Sequence, residues 1–314
     1  MSTVVVTGAA GFIGSHLSDR LLAEGHRVVG VDDLSTGKIA NLVEARGYGQ
    51  QFTFYNLDIR LEGIATVLDR HRPEVLMHLA AQSSVAISVQ NPMLDAGVNI
   101  IGLLNVLEAA ASRGVRKVVF AASGGTLYGE PRNLPVKETA LRGARPVSPY
   151  GISKSVALDY LRFFREARDV DFTALALANI YGPRQDPHGE AGVVSIFASK
   201  MLAGEQPTIF GDGNQTRDYL FVDDTVHAFS LAAERGSGGL YNVGTGLETP
   251  VNRIYQLLAD VVGFRGKPAF GPPRAGDLAR SALDWRLAEK ELGWKPWTAL
   301  EDGLRETVES LRVE

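Results

Sequence analysis

The sequence predicts an α/β fold in which helices cover both faces of a parallel sheet. Apolar, β-branched runs alternate with longer amphipathic stretches through the first half of the chain, which is the rhythm of strand–helix–strand units. A glycine-rich turn at residues 7–14 follows the first apolar run directly, where such units bind ligands. The length of 314 residues is sufficient for a large core and for two domains.

The elements of the first half follow in order along the chain. Strands are expected at residues 4–6, 28–31, 52–55, 75–79, 117–121 and 172–178, and helices at residues 13–24, 61–70, 100–113 and 150–168. Pro149 stands near the start of the last of these helices, where a missing N–H does no harm. Together these elements predict a Rossmann-type sheet.

The second half is richer in loops, with glycine and proline marking turns at residues 182–183, 186–189 and 211–213. Helices are expected at residues 192–203, 222–233, 252–262 and 287–292, and a strand at residues 240–243. We divide the chain into a Rossmann domain, residues 1–175 with a returning segment near 218–245, and a smaller, loop-rich substrate domain, mostly residues 176–314. The smaller domain would cover the carboxyl ends of the parallel strands, where such sheets bind ligands.

The glycine turn predicts a dinucleotide site. Gly8 can adopt the backbone angles of a tight turn, Gly11 lets a diphosphate approach the main chain, and Gly14 allows close packing of the next helix. Phe12 and Ile13 would then place the diphosphate on the helix N-terminus, where free N–H groups and the helix dipole favour negative charge.

An acidic pair ends the second predicted strand. Asp32 and Asp33 follow the apolar residues 28–31, and a carboxylate at this position can bind the ribose hydroxyls of NAD. The same charge would repel the additional phosphate of NADP. The sequence therefore predicts NAD as the cofactor.

Tyr150 and Lys154 are the candidate catalytic pair. They are four residues apart on a predicted helix, so both side chains lie on one face and can reach one cofactor. A free tyrosine has a pKa of about 10, which is too high for a base at neutral pH. We expect the Lys154 ammonium and an oxidised nicotinamide ring to lower the pKa of Tyr150, and Lys154 to bind the nicotinamide ribose.

Amino-acid composition and net charge argue against several other kinds of function. A net charge of −4 without a basic cluster argues against nucleic-acid binding, and zero cysteines exclude disulfides and thiolate metal sites. The six histidines are scattered, and His188 and Glu190 lie in a loop without a metal-ligand pattern, so no metal site is expected. The sequence begins in a strand, with neither a basic leader nor a long apolar segment, and we expect a cytoplasmic enzyme without a membrane partner.

Several motifs in the same order resemble the extended short-chain dehydrogenase/reductase family that acts on nucleotide sugars, and within it most closely the UDP-glucose 4-epimerases. The resemblance extends over nearly the whole chain. It is carried by residues 7–14, 32–37, 58–59, 78–82, 123–129, 148–154, 179–184, 217–219 and 274–277.

The resemblance implies further cofactor contacts around the predicted NAD site. Asp58 and Ile59 would flank the adenine, and Asn99 matches a position on the cofactor side of the site. The remaining implied cofactor residues lie in two loops, Leu34, Ser35, Thr36 and Gly37 after the second strand and Leu79, Ala80, Ala81 and Gln82 after the fourth.

The resemblance also implies the reaction. Tyr150 would take the proton from the sugar 4-hydroxyl while the C4 hydride goes to NAD; the 4-keto sugar rotates, and the hydride returns to its other face. Related dehydratases and decarboxylases carry acids where this chain has Gly125 and Thr126, which favours plain oxidation and re-reduction.

One position departs from the family pattern. The family usually places Ser or Thr four residues before the tyrosine of its Tyr-Gly motif, and that residue here is Gly124. We expect Ser123, one residue earlier, to supply the hydroxyl partner of Tyr150. Thr126 is the competing donor, its alternative being a β-branched residue at a strand end.

The substrate side is implied by the same resemblance. Arg217 and Arg274 would bind the UDP diphosphate, since guanidinium groups suit phosphate. Ser281 falls where glucose-specific members carry a bulky tyrosine, so space for an N-acetyl group is expected. The other implied contacts are Asp277 to the uridine ribose, Asn179 to the phosphate or sugar, and Thr208 and Phe210 beside the uracil.

These observations predict an NAD-dependent 4-epimerase of UDP-glucose and UDP-galactose. The alternatives are an epimerase of UDP-GlcNAc and UDP-GalNAc or of UDP-glucuronate, a 4-ketosugar reductase, and a non-catalytic NAD-binding sensor. An intact Tyr150/Lys154 pair argues against the sensor, which needs no base. The resemblance also implies a homodimer that pairs through the helices at residues 98–113 and 150–168.

Overall fold

The computed structural model of the protein describes residues 2–131, 133–187, 192–273 and 278–313. A seven-stranded sheet forms its centre. Its strands are β1 (Thr3–Thr7), β2 (Arg27–Asp32), β3 (Phe52–Asn56), β4 (Val75–His78), β5 (Lys117–Ser123), β6 (Asp171–Leu177) and β11 (Gly239–Val243). Their spatial order is β11–β6–β5–β4–β1–β2–β3, and every neighbouring pair is parallel. Each lies within two residues of its predicted position, and the predicted Rossmann-type fold is confirmed.

The sheet is buried on both faces because its strands are nearly continuous apolar runs. Val4 and Val6 belong to one hydrophobic core and Val5 to the other, as expected when successive side chains of a strand point to opposite faces. Helices α1 (Phe12–Ala23) and α10 (Val222–Ala232) contact each other over the first core, and α3 (Gly63–His71), α6 (Leu103–Ser112) and α8 (Pro149–Arg168) cover the second. The carboxyl ends of β1, β4 and β5 therefore open toward one edge.

A long helical stretch precedes β5. It consists of α5 (Pro92–Ala96), a π-helical turn at Gly97–Gly102 and α6, and it packs along α8. The sequence predicts helix only from residue 100, so the first two turns were missed. By length and composition Pro92–Ser112 could cross a membrane, which is weak evidence because core helices meet the same criterion.

The substrate side is assembled from short strand pairs. Strand β7 (Asn179–Tyr181) runs parallel to β10 (Tyr219–Phe221), and β8 (Thr208–Phe210) runs parallel to β13 (Ala269–Gly271). Strand β9 (Thr216–Arg217) is antiparallel to β12 (Thr249–Pro250). None of these pairs was predicted, because two or three residues are too few to show an alternating pattern.

The remaining helices are α2 (Val43–Gly47), α4 (Val85–Gln90), α7 (Gly124–Leu127), α9 (Val193–Leu202), α11 (Val251–Val262), α12 (Arg286–Leu292) and α13 (Leu300–Val313). The predicted helices of the second half agree with α9, α10, α11 and α12 to within a residue. Helices α2, α4, α7 and α13 were not predicted.

Candidate active site

The glycine turn connects β1 to α1 and has the geometry that its residues predict. Gly8 has φ 73°, and a Cβ there would lie 2.8 Å from the backbone nitrogen of Ala80. A Cβ on Gly14 would lie 2.0 Å from the carbonyl oxygen of Gly8. Only glycine at these positions lets the turn approach the β4 loop and α1 approach the turn.

The first turn of α1 offers an anion site. Helix α1 begins at Phe12, Gly11 caps it without a side-chain hydrogen bond, and its first turn carries no acidic residue. Ile13 follows in the same turn. The free N–H groups and the helix dipole therefore favour a diphosphate, and these residues fit the predicted NAD.

Asp32 ends β2 beside this turn. Its carboxylate accepts hydrogen bonds from the backbone N–H of Ala10 at 2.9 Å and of Leu34 at 2.8 Å. Burial raises the pKa of Asp32, and both hydrogen bonds oppose that shift. A Cβ on Gly37 would lie 2.8 Å from the same carboxylate. Asp32 thus joins the glycine turn to the loop after β2, and its predicted role toward the ribose stays a prediction.

The other predicted residues of that loop are more exposed. Asp33 accepts a hydrogen bond from the Ser35 backbone N–H at 2.9 Å, and Thr36 is exposed beside them. After β3, Asp58 forms an ion pair with Arg60, which lowers the pKa of Asp58. Ile59 is buried and its carbonyl oxygen accepts a hydrogen bond from the Asn105 amide at 2.6 Å.

The loop after β4, residues 79–82, lies against the glycine turn. The backbone N–H groups of Leu79 and Ala80 donate to the carbonyl and hydroxyl oxygens of Thr7, at 3.2 and 3.3 Å. Gln82 donates its backbone N–H to Asn99 Oδ1 at 2.9 Å, with Ala81 between these anchors. The structure therefore gathers the predicted cofactor residues of β1, β4 and the π turn into one place.

Tyr150 and Lys154 lie on the first turns of α8, which Ser148 caps by accepting the Gly151 N–H at 3.2 Å. Lys154 Nζ donates to the Ala121 carbonyl oxygen at 2.9 Å and lies 5.7 Å from the centre of the Tyr150 ring. Burial lowers the pKa of Lys154 to about 8. The ammonium is therefore close to the phenol and titrates near neutral pH.

The pKa of Tyr150 differs from the sequence expectation. Burial is the largest influence among the protein's own groups and raises the pKa of Tyr150 to about 12, although a hydrogen bond with Ser123 opposes the shift. We expected Lys154 and a nicotinamide ring to lower this pKa. The protein's own groups alone do not do so, because the desolvation of a phenolate outweighs them.

Ser123 and Thr126 are placed differently around Tyr150. Ser123 ends β5, and its hydroxyl is close enough to the Tyr150 phenol to lower the pKa of Tyr150. Thr126 lies in α7, and its hydroxyl donates to the Ser123 carbonyl oxygen at 3.5 Å. The alternative of a strand-end role for Thr126 is wrong, because the chain turns into a helix after Ser123. The geometry favours Ser123 as the partner, and its catalytic role stays a prediction.

The departure at Gly124 has a packing reason. A Cβ on Gly124 would lie 2.4 Å from Leu283 Cδ1 and 3.1 Å from the Leu177 carbonyl oxygen. Leu283 is fully buried, so a serine or threonine at position 124 would displace it. A Cβ on Gly125 meets nothing within 4 Å.

The predicted substrate residues lie on, or follow, the short strands of the second half of the chain. Asn179 is exposed at the start of β7, and Thr208 and Phe210 lie at the two ends of β8. Arg217 is half-buried in β9, and its guanidinium donates to the Thr216 carbonyl oxygen at 2.7 Å. Ser281 is buried. Arg274 and Asp277, which were also predicted on this side, lie outside the described residues. The same holds for His188 and Glu190 of the loop without a metal-ligand pattern.

Asp218 holds this side together. Its buried carboxylate accepts hydrogen bonds from the Thr245 N–H at 2.8 Å, the Thr245 hydroxyl at 2.6 Å, and the Gly246 and Leu283 N–H groups at 3.0 Å each. Burial raises the pKa of Asp218, and these hydrogen bonds oppose the shift. The carboxylate thereby fixes the loop after β11 and the segment that carries Ser281.

Arg184 attaches the loop after β7 to the Rossmann domain. Its guanidinium forms ion pairs with Asp19 of α1 at 2.7 Å and with Glu44 of α2 at 3.2 Å. His16, also on α1, forms a hydrogen bond with the Pro183 carbonyl oxygen at 3.0 Å. The loop after β7 is therefore held against the helix that begins at the glycine turn.

Comparison with known proteins decides the family. The model of the NAD dependent epimerase/dehydratase family matches residues 4–244. The chain belongs to this family. A UDP-glucose 4-epimerase of Mycolicibacterium smegmatis is 50% identical over 309 residues, which cover 98% of each chain.

Solved structures of the family agree in fold. The UDP-glucose 4-epimerase of Thermotoga maritima, solved with UDP-glucose, has 47% identity and a TM-score of 0.95, with 99% of each chain covered. The UDP-glucose 4-epimerase of Thermus thermophilus, solved with NAD, has 40% identity and a TM-score of 0.91, again with 99% of each chain covered. The resemblance stated from the motifs is confirmed.

Three buried polar residues of this epimerase/dehydratase site were not found from the sequence. Asp95 and Ser153 form a hydrogen bond of 2.5 Å between α5 and α8. His78 ends β4, shares a 2.9 Å hydrogen bond with the Thr7 hydroxyl, and has its pKa lowered to about 3 by burial. His78 and Ser153 lie inside motifs of the resemblance but had no role assigned, and the signal of Asp95 is that of an acid inside an apolar run, four residues before Asn99.

Within residues 2–131, 133–187, 192–273 and 278–313, no group of three or more His, Cys, Asp or Glu residues could hold a metal ion.

Proposed function

We propose that this protein is an NAD-dependent 4-epimerase that interconverts UDP-glucose and UDP-galactose through a 4-keto intermediate. The observation that carries the proposal is the cluster of Tyr150, Ser123 and Lys154 beside the glycine turn. A phenol with a hydroxyl partner and a nearby ammonium is equipped to take a proton from a sugar hydroxyl and return it. The similarity to UDP-glucose 4-epimerases supports the substrate assignment.

The proton is handled by this cluster alone. Tyr150 removes the proton of the 4-hydroxyl, the Ser123 hydroxyl keeps the phenol aligned with the sugar oxygen, and the Lys154 ammonium stabilises the phenolate. When bound, NAD supplies the acceptor and donor of the C4 hydride. The same phenol returns the proton after the keto sugar has turned, so the protein ends the cycle unchanged.

The cofactor would be held by the elements already described. The N-terminus of α1 would hold its diphosphate, Asp32 would bind its ribose, and the loop of residues 79–82 would contact it from the β4 side. Because the cofactor is regenerated in every cycle, it need not dissociate between turnovers. The ion pair between Arg184 and α1 would favour its retention by holding the loop after β7 against this helix.

The residues before the Tyr-Gly motif favour epimerisation over dehydration. Gly124, Gly125 and Thr126 carry no carboxyl group, so no acid from this segment can protonate a leaving hydroxyl or remove a carbon-bound proton. Oxidation and re-reduction at C4 require neither step.

A homodimer in the cytoplasm, without nucleic-acid or membrane partners, completes the proposal. Large apolar side chains are exposed together on the paired helices, including Met93 and Ile101 of the stretch Pro92–Ser112 and Ile152 and Phe163 of α8. A second copy would cover them as a four-helix interface. Light scattering of the Met93→Asp variant should then give the mass of a monomer where the parent gives a dimer.

The decisive assay incubates the purified protein with UDP-galactose and couples any UDP-glucose formed to a UDP-glucose dehydrogenase. Production of UDP-glucose without net consumption of NAD by the epimerase is the expected result. Turnover of only another UDP-sugar would move the substrate assignment, and a net, stoichiometric reduction of a 4-keto sugar would replace the epimerase with a reductase.

A further inference from the structure

A fully buried carboxylate lies between the cofactor loop and the catalytic helix. Asp95 Oδ1 accepts hydrogen bonds from Gln82 Nε2 at 3.0 Å and from Asn99 Nδ2 at 2.9 Å. Its Oδ2 accepts the Ser153 hydroxyl at 2.5 Å. The side chain of Asp95 is 0% exposed. Three elements therefore meet at one charge: the loop of residues 79–82, the π turn and α8.

The neighbours of Asp95 reach the predicted active site directly. Asn99 binds the backbone of Gln82 twice, accepting its N–H and donating to its carbonyl oxygen, both at 2.9 Å. Asn99 lies in the π turn, a rare irregularity that often marks functional sites. Ser153 directly precedes Lys154 on α8. A displacement of Asp95 would thus be transmitted to both the cofactor loop and the catalytic lysine.

Within the part of the chain that the structure describes, no Lys or Arg forms an ion pair with Asp95. The cation that responds to its charge is Lys154. Burial lowers the pKa of Lys154 to about 8, and the negative charge of Asp95 opposes that shift. Without Asp95, the desolvated ammonium would lose the stabilisation that this negative charge gives it.

We propose that Asp95 is a positioning residue of this epimerase, whose carboxylate is the counter-charge of the Lys154 ammonium and ties α8 to the cofactor loop. It touches neither the sugar nor the phenol: its hydrogen bonds reach Gln82, Asn99 and Ser153, and its charge acts on Lys154 and on Tyr150. The proposal rests on the proposed function for its kinetic test only.

The groups that face Lys154 limit the interpretation of a pH profile. Tyr150 faces it from α8, His78 from β4 and Asp95 from α5. His78 has a pKa of about 3 and remains neutral over the range in which an epimerase is assayed. Burial raises the pKa of Tyr150 to about 12, and the negative charge of Asp95 adds to that rise. Because a bound nicotinamide ring would lower the pKa of Tyr150 and the phenol must act as a base, the loss of the Tyr150 proton belongs to the acid limb of activity. The alkaline limb then reports the loss of the Lys154 proton.

Asp95→Asn isolates the charge. The Asn amide oxygen can accept from Gln82 and Asn99, and its NH₂ group can donate to the Ser153 oxygen, so every hydrogen bond has a substitute. Removing a negative charge lowers the pKa of a nearby cation, and the alkaline limb of kcat/KM should move to lower pH by about one unit or more. Ser153→Ala, the matched control, keeps the charge and should leave that limb in place while kcat falls.

A stability cycle tests the same pairing without activity. If Asp95 and Lys154 are counter-charges, Asp95→Asn should lower the thermal unfolding midpoint in the parent protein and clearly less in a Lys154→Met background. This measurement stands even if the protein does not convert UDP-galactose, so failure of the proposed function is recognisable separately.

Two results overturn the proposal. One is a pH profile in which Asp95→Asn has the same alkaline limb as the parent protein, or in which Ser153→Ala shifts that limb as far as Asp95→Asn does. The other is an equal loss of the unfolding midpoint in the parent and in the Lys154→Met background, which would make Asp95 a structural anchor unrelated to the lysine.

Discussion

Two buried carboxylates organise the two sides of the site, and different donors hold them. Asp95, on the cofactor side, accepts from three side chains. Asp218, on the substrate side, accepts from three backbone N–H groups and one hydroxyl. Both are fully buried. We infer that the charge of Asp95 affects the catalytic residues, whereas the hydrogen bonds of Asp218 determine the shape of a loop.

The difference follows from what each donor can do. Backbone N–H groups fix the path of the chain, so Asp218 determines where the loop after β11 and the segment of Ser281 run. The side-chain donors of Asp95 hold neighbouring side chains in place and do not set the path of the backbone around it. The charge of Asp95 also acts on Lys154. The cofactor side should therefore respond to substitution through rate and pH, and the substrate side through stability and binding.

Tyr150→Phe provides the largest expected effect and separates the two sides most sharply. The variant lacks the group that accepts the sugar proton, so kcat with UDP-galactose should fall by about a thousandfold. Contacts to the UDP portion are unchanged, and KM and the NAD content of the purified protein should stay close to those of the parent. Coupled kinetics and release of NAD from denatured protein measure both.

The contradicting outcome is a raised KM with a preserved kcat, since that would make Tyr150 a binding residue. Lys154→Met serves as the companion variant. It keeps the phenol but removes the ammonium, and a large loss of kcat there would locate the defect in the state of the phenol.

Asp218→Asn should affect stability. The amide keeps one acceptor oxygen and turns an NH₂ group toward two of the four donors, which leaves buried N–H groups unsatisfied. We expect a loss of about 2–4 kcal/mol in the free energy of unfolding, measured by urea denaturation. The control is Thr245→Val, which removes one hydroxyl from the same carboxylate and should cost about 1 kcal/mol.

A stable Asp218→Asn variant whose pH profile is shifted would remove the contrast with Asp95. The two carboxylates would then be of one kind, each setting a pKa in the site.

Ser123→Ala and Thr126→Ala resolve the choice of hydroxyl. The Ser123 hydroxyl faces the Tyr150 phenol and lowers its pKa, whereas Thr126 donates to the Ser123 backbone. Loss of a hydrogen bond to the reacting group should lower kcat by about ten- to a hundredfold in Ser123→Ala. Thr126→Ala should stay within about threefold of the parent. The reverse ranking of the two variants in steady-state kinetics would transfer the role to Thr126.

The Rossmann half was predictable because its signals are local. A turn that requires φ 73° at Gly8 and close packing at Gly14 selects glycine whatever surrounds it. Buried parallel strands are runs of apolar β-branched residues, and their order along the chain fixes the topology. The Tyr150/Lys154 spacing is likewise a property of a single helix.

The parts that were missed depend on partners far away in the sequence. Asp95 is defined by Gln82 and Ser153, 13 residues before it and 58 after it, and no periodic pattern connects them. The pKa of Tyr150 depends on burial that only the folded chain creates. Glycine at position 124 is explained by the proximity of Leu283, which lies far along the chain. Such relations are tertiary, and a single sequence does not reveal them.

Ser281 gives the smallest expected effect and tests how the substrate side selects its sugar. Ser281 is buried in a segment that is pinned on either side, where the Ala279 and Ala282 carbonyl oxygens accept the Thr216 and Val136 N–H groups at 3.0 and 2.8 Å. A small side chain in a fixed segment leaves space that a larger one would fill.

If this space receives an N-acetyl group, the parent protein turns over UDP-GalNAc as well as UDP-galactose. Ser281→Tyr should then lower kcat/KM for UDP-GalNAc by about tenfold more than for UDP-galactose, and Ser281→Ala should change neither. Equal losses for both sugars would place Ser281 in packing alone, and a parent without any turnover of UDP-GalNAc would refute the predicted space. A selective loss would show that the rigid loops held by Asp218 choose the sugar, while the cluster around Tyr150 treats any 4-hydroxyl alike.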